Sequence, residues 1–200
     1  RLQTICTLRI KCLFNREPDN HGFIRLPVGA GTGIDSKFQK PMTLLIPNWL
    51  AQDLKIYINS QQASQRRQKS NYGESDENYV FLTKLGTPFY TSKVEQQELT
   101  ERIKASDSSR ARLKLYEGEA VRSYLKVVLL PEIRLIDPQF QSFKFHDLRA
   151  SFGMNLLESQ LQHLPEGNSA MTAVEYVQAR MGHRNISTTL QYLNYKSRLQ

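Results

Sequence analysis

ARMGHRNISTTLQY, residues 179–192, ends an amphipathic run with a glycine and a histidine and carries a tyrosine nine positions beyond that histidine. Nine residues of unbroken helix turn through about 900°, which would point His183 and Tyr192 to opposite faces. Gly182 is the residue type that closes a helix in the left-handed conformation, and Asn185 is a good N-cap for a helix beginning at Ile186. A break over 182–185 is therefore expected, and it lets the new helix swing Tyr192 back toward His183. Read as ordinary packing, Tyr192 is one of nine tyrosines and His183 the polar end of a helix.

Upstream, KFHDLRASFGMNLLE (144–158) sets His146 and Arg149 three apart, on one face of a helix with Cβ atoms about 5–6 Å apart. Leu148, Phe152, Met154, Leu156 and Leu157 are left to face a core. A guanidinium offers a planar fork that matches phosphate oxygens, and an imidazole beside it can donate or move a proton. Such a pair by itself is more often a solvated surface or a helix end. A metal site built on His146, Asp147 and His183 is disfavoured. Adjacent helical residues diverge, Arg149 would set positive charge beside the ion, and there is no H-E-x-x-H.

The rest of the chain reads as mostly helix with one small sheet. FIRLPV (23–28) and MTLLIP (42–47) read as strands of a hairpin whose loop, GAGTGIDSKFQK, carries lysines, and NYVFLT (78–83) reads as a third strand. NWLAQDLKIYI (48–58) has helical apolar spacing, and Ser92 to Glu95 has the capping-box pattern ahead of another helix. Residues 60–77 are polar and read as a loop, exposed or ordered by a ligand. Residues 120–133 read as a helix ended by Pro131, and further helices are expected over 146–162, 170–181 and 186–195. Cys6 and Cys12 read as buried thiols of one helix, too few for a disulfide framework or zinc.

The 200 residues carry a formal net charge of +8, which favours a polyanionic partner. The basic residues gather in RRQK (66–69) and RIKASDSSRARLK (102–114), where the bland alternative is a solvated surface. No run approaches the eighteen or so apolar residues of a membrane helix, and no signal peptide is recognisable, so a protein of the cell interior is expected.

Taken together these stretches resemble the catalytic domain of the tyrosine recombinases, the phage integrase family. FHDLRASF is similar to the family's HDLRHTF box, and MGHRNISTTLQY to its LGHSSISTTxxY box, in the same order and spacing. RLQTICTLR resembles the end of the T-G-x-R-x-x-E-L motif, SKFQKPMTLLIP the lysine-bearing K-T-G-K-P-R-T-V-P-L hairpin, and YVFLTKLGTPFYTSKV the sheet edge and helix that follow. The sequence departs from the pattern at Thr4, where an acidic residue is usual, and at Ala150, where a second histidine is frequent. The stretch from Arg1 to the hairpin lysine and the linker between the two boxes are both longer than usual.

The resemblance implies an α+β, mainly helical catalytic fold with a small three-stranded antiparallel sheet on one edge. Residues 1–200 would form one integrase-type catalytic domain, a fragment without the N-terminal core-binding domain. It implies a site of Arg1, Lys37 (or Lys40 in its place), His146, Arg149 and His183, with Tyr192 as nucleophile. The partner implied is double-stranded DNA, held by a homotetramer of the full-length protein, in the cytoplasm on the nucleoid and away from membranes. Strands would be cut and rejoined through a 3′-phosphotyrosine, without metal, ATP or other cofactor. The alternative is a basic module that binds DNA without cutting it, and a metal-dependent nuclease is a third reading.

Overall fold

The computed structural model describes residues 1–14, 16–105, 114–165 and 169–193. The chain divides into two compact units, Arg1–Lys126 and Val127–Gln200. In the first, β1 (Phe23–Val28) and β2 (Met42–Pro47) pair antiparallel, with Phe23 opposite Pro47 and Val28 opposite Met42. Alternation along β1 buries Ile24, Leu26 and Val28 and turns Arg25 and Pro27 outward. Those three join Leu8, Ile10, Leu13, Ile34, Ile46, Ala51, Ile58 and Val80 in one core, covered on one side by α3 (Asn48–Ile58).

Several expectations for this unit are corrected. The sheet among the described residues has two strands, because 78–83 spends its main chain elsewhere: Ile10 N–H donates to Asn78 O at 3.1 Å and Val80 N–H to Leu8 O at 2.8 Å. That pairing also interrupts the first helix. Residues 2–14 form α1 (Leu2–Cys6) and α2 (Lys11–Phe14), so Cys6 and Cys12 lie on different helices, one buried and the other half-buried. Residues 60–77 contain a helix, α4 (Gln61–Arg67), started by Ser60 Oγ accepting from Ala63 N–H at 3.2 Å and seated by the buried Ala63. Arg66 and Arg67 of the basic RRQK stretch are half-buried there, donating to the carbonyls of Leu82 (2.9 Å) and Ile58 (2.7 Å).

α5 (Lys93–Ala105) opens at Ser92, whose Oγ accepts from Glu95 N–H at 3.3 Å. The Glu95 carboxylate leaves the expected capping box and accepts from the buried Tyr79 hydroxyl instead. After α6 (Glu119–Tyr124), a wide turn of π type over Leu125–Leu129 leads into α7 (Leu130–Ile136). Helical structure therefore continues past Pro131, which lies in the first turn of α7 rather than at the end of a helix.

The second unit packs α8 (Asp147–Gln162), α9 (Ala170–Met181) and α10 (Ile186–Leu193) against one another. α9 turns Ala173, Val174, Val177 and Met181 inward. α8 meets that stripe with small residues, Ala150 and Gly153, and a Cβ on Gly153 would lie 2.7 Å from Met181 Sδ. The apolar set expected to face the core is accordingly more open: Leu148 and Phe152 are 49% and 48% exposed, and Met154, Leu156 and Leu157 half-buried. Close approach of two helices requires small side chains at the contact, and the larger ones are displaced to its flanks. No helix among the described residues is long and apolar enough to cross a membrane. The basic residues at 110 and 112, and the segment from 194 on, lie outside the described residues.

Candidate active site

The break expected at 182–185 is present. Gly182 takes the left-handed conformation (φ 63°), its N–H donates to Ala179 O at 3.0 Å, and the His183 N–H donates to Gln178 O at 3.1 Å. This paired closure satisfies the last carbonyls of α9 and turns the chain sharply. Gln178 ties the turn down further, its side-chain amide donating to His183 O (3.3 Å) and Arg184 O (3.1 Å). α10 then begins at Ile186, and Tyr192 lies in it.

Two side-chain bonds join the three helices at this corner. The Arg149 guanidinium, from α8, donates to the carbonyl of Met181, the last residue of α9. That carbonyl carries the negative end of the helix dipole, so a cation is favoured there. The His183 imidazole meets the hydroxyl of Thr189 on α10, with Nδ1 and Oγ1 3.0 Å apart. Thr189 is fully buried and Tyr192 comes three positions later on the same helix. Arg149, His183 and the helix of Tyr192 are thus held at one corner of the second unit. His146 sits one turn before Arg149, exposed at the N-terminal cap of α8, and the Asp147 carboxylate accepts from Lys144 N–H at 2.8 Å in the turn that leads into the helix.

Arg1, Lys37 and Lys40 belong to the first unit, all three exposed. Arg1 caps α1, and the lysines occupy the 36–40 turn of the hairpin loop. The two places are connected through Asp35, which is 2% exposed. Its carboxylate accepts from Gln3 Nε2 at 2.9 Å, from Gln39 Nε2 at 2.9 Å and from Lys93 N–H at 3.1 and 3.3 Å. Its own N–H donates to Thr7 Oγ1 at 2.9 Å. One buried carboxylate therefore fastens the helix of Arg1, the lysine turn and the start of α5.

A second polar network lies in the first unit. Arg9, 5% exposed, places its guanidinium 4.4 Å from the Tyr79 ring centre and 5.1 Å from that of Tyr72. It donates to Glu77 O at 2.5 Å and to Ser92 Oγ at 3.2 Å. Burial pushes the Tyr79, Tyr72 and Tyr90 phenols above their ordinary range. That is the opposite of what activates a phenol for attack, so this cluster reads as structural.

No family model, curated protein or solved structure matches this chain. Sequence reasoning overlooked Asp35, Gln178 and Thr189. Asp35 follows an apolar residue in a glycine-rich loop and carries no pattern of its own. Thr189 sits in the quoted STT run, where a buried hydroxyl facing a histidine was a readable possibility. Among the described residues no group of acidic, histidine and cysteine side chains has the arrangement of a metal site.

Proposed function

We propose that this chain is a tyrosine-type site-specific DNA recombinase, cleaving and rejoining strands through a 3′-phosphotyrosine made by Tyr192. The observation that carries the reading is the corner where Arg149 grips the end of α9 two residues before His183, and His183 is pinned to the helix of Tyr192. A guanidinium has five N–H donors, so a main-chain bond that orients it is compatible with its holding phosphate oxygens. Attack at phosphorus spreads negative charge over the nonbridging oxygens, and each well-placed donor in such a site contributes on the order of 3–4 kcal/mol to the barrier. In this reading Arg149 and Arg1 hold those oxygens and His183 adds a hydrogen bond. A phenol is neutral at pH 7 and needs a proton acceptor, the role of His146, exposed beside Arg149. Lys37, or Lys40 in its place, protonates the leaving 5′ oxygen from the hairpin turn.

The covalent bond to phosphorus preserves the energy of the broken phosphodiester, so a 5′ hydroxyl from another strand reverses the step without ATP or metal. A non-cutting DNA-binding module is the rival, since Arg149 on the α9 carbonyl also serves as a plain helix cap.

The test uses a pool of nicked duplexes with a randomised 30-base-pair core, recovering DNA that stays with the chain through SDS. The expected outcome is a selected adduct, insensitive to EDTA, that Tyr192→Phe abolishes. An adduct that survives Tyr192→Phe, or retention of DNA with no adduct at all, overturns the proposal, and the second result installs the rival.

A further inference from the structure

The lysine turn presents a side chain that the cleavage chemistry does not use. Phe38, between Lys37 and Gln39, is 81% exposed. Its backbone lies in the left-handed region (φ 57°, ψ 27°), and Gln39 beside it has φ 55°. Two successive non-glycine residues in that region are unfavourable, since Cβ crowds the following carbonyl, and they persist only where the surroundings hold them.

Here the surroundings do so. Ser36 Oγ donates to Lys40 O at 2.5 Å, Gln39 N–H to Ser36 O at 3.2 Å, and Ala30 N–H to Gln39 O at 3.1 Å. The Gln39 side chain is anchored on buried Asp35 at 2.9 Å. Beneath the turn Gly29 passes so close that a Cβ there would stand 2.5 Å from Lys40 O. The fold therefore holds an apolar ring in water on a strained, braced turn.

A cation lies against it. The Lys37 ammonium stands 4.8 Å from the ring centre, and Lys40 is exposed at the far end of the turn, in a chain of formal net charge +8. A ring that offers stacking surface, with one ammonium against it and a second exposed lysine two residues along the turn, matches a nucleobase beside its phosphate. Base stacking on aromatic side chains and apolar insertion at flexible steps are established means of gripping nucleic acid.

We propose that Phe38 is a positioning residue that stacks on a base of the DNA partner, at or beside an opened base step, and so sets the register of the lysine turn on the strand. This rests on the DNA reading of the chain and adds a contact to it. The partner is duplex DNA with a locally unstacked step, and a protein surface is the competing occupant.

The probes are a fluorescein-labelled 30-base-pair duplex, intact or with a one-nucleotide gap, titrated by anisotropy at several salt concentrations. The wild-type chain is expected to prefer the gapped duplex. Phe38→Ala is expected to weaken that binding about tenfold or more, the usual consequence of losing a stacked base, with an unchanged salt slope because no phosphate contact is removed. Its thermal midpoint should stay at the wild-type value, since the ring is in water. Phe38→Trp in a Trp49→Phe background places the chain's single tryptophan on the turn, and its fluorescence is expected to be quenched by the gapped duplex. Equal binding by wild type and Phe38→Ala, with unquenched Phe38→Trp fluorescence in the bound state, overturns the stacking role and leaves the ring to a protein contact. Failure of the wild-type chain to bind either duplex overturns the DNA reading itself, and this proposal with it.

Discussion

Replacing Asp35 tests how the first unit holds the helix of Arg1 and the lysine turn. Its carboxylate is buried and receives three donors: Gln3 Nε2 and Gln39 Nε2 at 2.9 Å and the Lys93 N–H at 3.1 Å. A hydrogen bond to a charged group nets about 1.5–3 kcal/mol, which summed over three donors bounds the loss at roughly 5–9 kcal/mol. Gln3 and Gln39 are half-buried and recover water, so Asp35→Ala is expected to cost about 3–4 kcal/mol, with the Lys93 N–H as the group left unsatisfied. Asp35→Asn retains one acceptor oxygen but sets an NH2 group against a donor, for a loss of about 2 kcal/mol. At about 2–4 °C per kcal/mol for a chain of this size, the alanine variant should melt roughly 6–16 °C lower by calorimetry. Gln39→Ala removes a single donor and should cost about 1 kcal/mol. Because Asp35 braces the lysine turn, limited proteolysis should also cut Asp35→Ala between residues 36 and 40 faster than the wild type. Urea unfolding free energies for both Asp35 variants within about 0.5 kcal/mol of wild type, the range of ordinary surface changes, would refute the hub.

Three further perturbations have definite outcomes. Gly29 has φ 113° and no room for a Cβ against Lys40 O, so Gly29→Ala is expected to lose about 2–3 kcal/mol in urea unfolding and to disturb the lysine turn; a neutral result would mean that the turn is not braced from below. At Gly153, alanine meets the movable end of Met181 and should stay within about 1 kcal/mol, whereas Gly153→Val forces α8 from α9, costs about 2–3 kcal/mol and lowers adduct yield by displacing the carbonyl that Arg149 holds. Burial pushes the Cys6 thiol up to about 11 from an ordinary 9.0, so the native state keeps its proton where the unfolded chain loses it. That contribution is complete below about pH 9 and is lost as pH climbs to about 11, roughly 2–3 kcal/mol in all. Burial of the Tyr79 phenol acts in the same direction above its ordinary 10.0. The urea midpoint should fall across that window and fall less in Cys6→Ala; a flat profile contradicts the burial argument.

The proposed site was legible in uneven measure. The residue types Gly182 and Asn185 marked the helix break, and Gly182 closes α9 in the left-handed conformation. The H-x-x-R pair was legible as two side chains of one helix, yet what Arg149 touches is a main-chain carbonyl thirty-two residues away, and main-chain groups have no signature in sequence. Thr189 and Asp35 are ordinary residue types whose roles come from burial.

Local rules were enough for the elements whose stabilising contacts run along the chain. β1, β2, α3 and α9 begin and end where alternation, helical spacing, a proline or a glycine places them. They failed where long-range partners compete for the same groups. The stretch 78–83 has strand-forming residues, but its main-chain bonds go to residues 8 and 10, which removes a sheet strand and splits the first helix at one stroke. Polar 60–77 lacks an apolar stripe, and one buried alanine, a serine cap and two arginine clamps make α4 of it. Residue types and their spacing were enough for the order HxxR, H, Y and for the turn that separates the last two. That α8, α9 and α10 meet at that turn comes from packing, because the small residues Ala150 and Gly153 permit a helix approach that no one-dimensional pattern measures.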